Sequence, residues 1–111
     1  MKCKDLPMTD VFDGLPARAD QAAAFLKGLA SPHRLLILCA LAQGERNVST
    51  LIAETGMAPT SMSQHLAKLK DEGVIDVRRD HRTLTYFIVH AAAFQVMDVL
   101  HAHFCGNPSA E

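Results

Sequence analysis

No stretch of this chain approaches the roughly 20 consecutive apolar residues that a helix needs to cross a bilayer. The first 15 residues carry Lys2, Lys4, Asp5, Asp10 and Asp13 and have no apolar run of the kind a secretory leader needs, so the chain is expected to stay in the cytosol. Net charge is also lacking. Eleven Lys and Arg against 12 Asp and Glu leave −1 at pH 7. Any charge that attracts a polyanion must therefore be local. Cysteine is scarce and odd in number, with three residues. In a reducing compartment that excludes a disulfide framework and leaves buried inert thiols or reactive ones. Repeats, linkers and low-complexity tracts are missing. So are a phosphate loop, a paired-carboxylate motif and a nucleophile–base pair at recognisable spacing. An enzyme is not expected, nor a cofactor. What is present is 49% hydrophobic residues in a chain of 111, enough for one folded domain with a modest core.

The pattern along the chain is mainly helical. Pro7, Gly14 and Pro16 punctuate residues 1–16, which are expected to form a flexible arm. The ordered domain is expected over residues 17–105, with a fraying tail over 106–111. A first helix is predicted from Arg18 to about Leu29. Ser31 then suits an N-cap, with Pro32 at the first helical position. The second helix, Pro32 to about Ala42, is apolar on most of its circumference and is expected to be buried. A short third helix from Val48 to Glu54 stops at Gly56. A fourth runs from Pro59 to Glu72 and is closed by Gly73. Short helix, glycine turn, second helix is a helix-turn-helix pattern. Val74 to Arg79 and Leu84 to Val89 follow as two strands around the polar tip Asp80-His81-Arg82-Thr83. A last helix from Ala91 to about Phe104 completes a mainly α winged helix-turn-helix with a β-hairpin wing.

The fourth helix carries the functional argument. At 100° per residue Met62, Leu66 and Leu69 share one narrow face, which must pack on the core. Ser61, Gln64, His65 and Lys68 fall on a separate polar face, and Ser63 lies near its amino-terminal edge. Serine, glutamine and histidine suit hydrogen bonds to base edges, and lysine suits a phosphate. A solvated helix face would show the same polarity. The hairpin decides between the two, because Arg78, Arg79 and Arg82 with His81 crowd its tip. A basic hairpin after a helix-turn-helix can lie along the phosphate backbone, or enter the minor groove, while the helix occupies the major groove.

The order of elements, with Ser31-Pro32-His33-Arg34-Leu35-Leu36-Ile37-Leu38 and then Ser61-Met62-Ser63-Gln64-His65-Leu66, resembles the ArsR/SmtB family of bacterial repressors over about residues 18–105. The resemblance implies a homodimer formed through the first and last helices. It also implies two recognition helices on a palindromic operator and an inducer that weakens DNA affinity.

The same resemblance frames the inducer. One metal site of the family uses Cys-Val-Cys at the start of the third helix; here Asn47, Val48 and Ser49 stand there, with no thiolate. Another uses ligands that map onto Ile88, His90, His101 and Phe104, of which only the two histidines match, and zinc wants four N, O or S ligands. The cysteines fit better. Cys39 on the second helix and Cys105 near the end of the last resemble the paired thiols of the SqrR/BigR subgroup. That subgroup senses reactive sulfur such as glutathione persulfide by joining them through a disulfide or polysulfide. Cys3 resembles an extra cysteine that sensing does not need. The alternative is a metal- or haem-responsive regulator using His90, His101, His103 and Cys105.

Overall fold

A computed structural model describes the backbone of residues 8–105 and the side chains of residues 18–104. Two units are separated between Ala30 and Ser31. The first unit contains helix α1, Met8–Leu29. It begins at Met8 rather than near Arg18, so Gly14 and Pro16, expected to break the chain, lie inside it. A proline removes one N–H and crowds the preceding turn, which raises the cost of a helix without forbidding it. The alanines at 17 and 22–24 favour helix after it. The expected arm is shortened accordingly, and residues 1–7 and the tail 106–111 lie outside the described residues.

The second unit opens with α2, Pro32–Ala42. Ser31 caps it, its hydroxyl accepting from the Arg34 N–H at 3.5 Å. A two-residue strand β1, Arg46–Asn47, leads into α3, Val48–Thr55. Asn47 Oδ1 accepts from the Thr50 N–H at 2.8 Å and fixes that start. Gly56, at φ 74°, ends α3 in the left-handed region that a side chain would strain. Helix α4 spans Pro59–Asp71. Gly73 closes it at φ 78°, and the Val74 N–H reaches back to the Leu69 carbonyl at 3.0 Å. Strands β2, Ile75–Asp80, and β3, Thr83–Ile88, pair antiparallel around a two-residue turn, His81-Arg82, with His81 at φ 59°. Helix α5, Ala91–Leu100, passes into a wider π-type turn, His101–Cys105.

The sheet has three strands in the order β1-β3-β2, so the expected two-stranded wing is braced by β1 through Arg46↔Tyr86 and Asn47↔Thr85. The core of this unit joins Ile37, Leu38 and Leu41 of α2 with Leu51 of α3 and Met62, Leu66 and Leu69 of α4. Ile75 of β2 and Ala93 and Met97 of α5 complete it. Met62, Leu66 and Leu69 are the three residues that helical periodicity assigns to the core. Helix α2 is less enclosed than its composition suggests. It packs against α3, α5 and β3, yet Leu36 remains 49% exposed. Along α5, Phe94 and Val99 are exposed as well, followed by Phe104 in the π-type turn. Among the described residues no single helix is long and apolar enough to cross a membrane.

Candidate nucleic-acid interface and thiol site

With its apolar stripe buried, α4 turns the opposite side outward. Ser63, Gln64 and Lys68 are exposed, and Ser61 and His65 are half-buried. Lys68 is not a lone cation. Its ammonium lies 3.8 Å from Glu72, one turn on, and the same carboxylate lies 3.9 Å from the Arg34 guanidinium of α2. The His65 ring sits beside His33, centroid to centroid 5.4 Å, at a tilt of 36°. Burial lowers the His65 pKa below an imidazole's ordinary 6.5, and the positive charge of Arg34 and the neighbouring His33 push it the same way. A neutral imidazole offers one donor and one acceptor, which suits a base edge.

This shift makes stability depend on pH. The unfolded chain keeps the His65 proton to higher pH than the folded one, so stability rises with pH up to about 6.5 and is lost as pH falls below it. In His65→Gln that rise is expected to flatten when urea midpoints are compared across pH 5 to 7. An identical pH profile in the variant would show that His65 carries no linked proton.

The wing carries the second group of cations. Arg79, His81 and Arg82 are exposed. The Arg79 Nε–H donates to the His81 carbonyl at 3.2 Å and braces the turn, while the His81 ring lies 3.8 Å from the Asp80 carboxylate. Arg78, read from the sequence as one of the tip cations, is engaged elsewhere. Its two terminal nitrogens donate to the two oxygens of Glu45 at 2.7 and 3.2 Å, and its guanidinium lies 5.7 Å from the Phe87 ring centre. Arg78 holds the Glu45 carboxyl below the usual carboxylate range, and Glu45 raises the guanidinium in return. The pair ties the loop after α2 to β2. Sequence reasoning missed Glu45 because 33 residues separate it from Arg78.

Cys39 is half-buried on the side of α2 that meets the last helix. It lines a hollow of about 410 Å³ whose other walls are Leu35, Leu36, Met97, Leu100, His101 and Phe104. A second hollow brings Cys39 together with Gln43, Phe94, Asp98 and, again, His101. The backbone of Cys105 belongs to the π-type turn that His101 opens. The Cys105 side chain and all of Cys3 lie outside the described residues. Of the candidate metal ligands, His90 uses Nδ1 to accept from the Ala92 N–H at 3.2 Å and so caps α5. His101 and His103 are exposed. Among the described residues no three His, Cys, Asp or Glu side chains converge as a metal site would require.

Comparison with known proteins joins these features. The family signature described as "Bacterial regulatory protein, arsR family" matches residues 31–77, from the cap of α2 into β2. The chain is 40% identical over 92 residues to the HTH-type transcriptional regulator YgaV of Escherichia coli, covering 82% of this chain and 93% of that protein. It is 38% identical over 94 residues to the biofilm growth-associated repressor of Agrobacterium fabrum, covering 82% and 80% respectively. Among solved structures, the transcriptional repressor BigR from Xylella fastidiosa superposes with a TM-score of 0.78 at 32% identity, over 86% of this chain and 97% of that one.

Proposed function

The chain belongs to the arsR family of bacterial regulatory proteins, and from that premise we propose that it represses transcription as an operator-binding homodimer released by reactive sulfur. Its relatives named above are transcriptional regulators and repressors, not enzymes. In this reading Ser61, Ser63, Gln64 and His65 face the major groove. Lys68, Arg79, His81 and Arg82 meet phosphates or the minor groove. The exposed apolar side chains of α5 belong to the dimer contact. Cys39 and Cys105 are the sensing thiols.

The observation that carries the sensing half is the position of Cys39 against the turn that contains Cys105. A hydropersulfide RSSH, such as glutathione persulfide, transfers its sulfane sulfur to one thiol and leaves as RSH. The second thiol attacks the modified cysteine sulfur, closes a disulfide and expels hydrogen sulfide. The two thiols are oxidised and the sulfane sulfur is reduced to sulfide. Where two sulfane atoms have been added before closure, the same attack one sulfur further out gives a trisulfide. A direct disulfide requires Cα atoms about 4.4–6.8 Å apart, whereas a longer sulfur chain spans a wider gap with less strain. Either link fastens the end of the last helix to α2. A coupling of about 1–3 kcal/mol between that link and the DNA-binding face suffices for release, equivalent to roughly 5- to 150-fold in affinity.

Anisotropy titrations of a duplex selected from a random pool by the full chain, before and after glutathione persulfide, test the whole reading. Salt-dependent binding that weakens after treatment is expected, and affinity unmoved by treatment would contradict it. The same duplex separates the two parts of the interface. Arg82→Ala is expected to weaken binding to every sequence and to reduce the slope of log Kd against log salt by about 1. Gln64→Ala is expected to relax base preference. A salt slope unchanged in Arg82→Ala would remove the wing from the interface.

A further inference from the structure

His33 is the second residue of α2, exposed, on a helix that buries Ile37, Leu38, Ala40 and Leu41. Its ring lies 5.4 Å from that of His65, which projects from α4 alongside Ser61, Gln64 and Lys68. Successive nucleotides of one strand advance about 3.4 Å along a B-form duplex. Two imidazoles 5.4 Å apart are therefore within two nucleotide steps of each other.

We propose that the DNA-reading surface continues from α4 onto the amino end of α2, where His33 is a second contacting imidazole beside His65. The inference rests on the DNA-binding reading and extends it to a helix outside the helix-turn-helix.

Two features support a contact rather than a chance neighbour. The pair is held in place, because Arg34, next to His33, and Lys68, one turn after His65, both lie within 4 Å of Glu72. The amino end of α2 is thereby fastened to the carboxyl end of α4. The local charge is also unbalanced. Arg34 and Lys68 share the carboxylate of Glu72, and burial, together with the positive charge of Arg34 and the neighbouring His33, already disfavours a proton on His65. A phosphate at the amino end of α2 would offset that positive charge, and the His33 imidazole can donate an N–H to it while His65 faces the bases.

The test uses the full chain and a duplex selected by it from a random pool. Affinities are measured for wild type, His33→Ala, His65→Ala and the double variant, with imidazole ring NMR signals recorded for the free and DNA-bound protein. His33→Ala is expected to lose roughly three- to tenfold in affinity, and the double variant less than the product of the singles, as for residues in contact. His33→Gln, which keeps a donor, recovers part of the loss. The His33 ring signals move on adding the duplex, while the urea midpoint of His33→Ala stays near wild type because the residue is exposed. Ring signals that do not move, with His33→Ala within twofold of wild type, would overturn the inference and leave the α4 interface standing. Wild-type protein that selects no duplex would overturn the DNA-binding reading, and this inference with it.

Discussion

Cys39→Ser or Cys105→Ser should bind DNA as the reduced wild type does and should no longer be released by glutathione persulfide. The wild type is expected to lose roughly 5- to 150-fold in affinity on treatment, and either variant none. The effect is all or none because one thiol cannot close a bridge. Sulfane transfer to a lone cysteine gives a persulfide that has no partner to attack it. Serine replaces the thiol with a smaller polar group at a half-buried position of α2, so the reduced fold is retained. A gel-shift titration of each variant, with and without the persulfide, checks the expectation. Release of either variant at the wild-type concentration of persulfide would eliminate the two-thiol sensor.

Truncating Leu69 to alanine is expected to cost about 2–5 kcal/mol. Its side chain is fully enclosed, on the stripe it shares with Met62 and Leu66. Removing it leaves a void between α4 and the sheet-facing core, and the walls collapse only in part. For a domain whose total stability is of the order of 5–15 kcal/mol, that is a large share. The urea midpoint should fall steeply, and DNA binding should fail as the temperature rises. Ala67→Ser, on the exposed side of the same helix, should change stability by no more than about 0.5 kcal/mol. Equal midpoints for the two variants would mean that this stripe does not hold the recognition helix to the core.

Local signals are enough for much of the fold. The helical period of Met62, Leu66 and Leu69 identifies the buried side of α4 and, by exclusion, the polar face. Gly56 and Gly73 mark helix ends because both need the left-handed backbone that ends α3 and α4. Alternation puts Ile75 and Val77 on one face of their strand and Tyr86 and Ile88 on one face of theirs, and in the hairpin Ile75 pairs with Ile88 and Val77 with Tyr86. What escapes the sequence is non-local or too short to have a period. Strand β1 contains two residues, and only its pairing with β3 defines it. Glu45 meets Arg78, and His33 meets His65, only after the chain folds back on itself. Composition puts Leu36 in the core, but an all-apolar helix with neighbours on only some sides leaves part of its surface outward. Weighing Gly14 and Pro16 as breakers starts α1 too late, because the helix runs through both.

The thiol site is legible only in part. Family resemblance alone points to Cys39 and Cys105, while the apolar walls supplied by Leu35, Leu36, Met97, Leu100 and Phe104 emerge from the packing of α2 on α5 and the turn that follows. Those walls set the chemistry around Cys39. His101 lines both hollows beside Cys39.

Peptide mass mapping of the full chain after glutathione persulfide addresses the bridge itself. Trypsin separates the two cysteines into residues 35–46 and residues 83–111. The account predicts that, without reductant, these peptides are recovered as one species heavier by zero or more whole sulfur atoms than a simple disulfide, and that reductant parts them. Recovery of the two peptides unlinked, from protein that has nonetheless released its DNA, would contradict it.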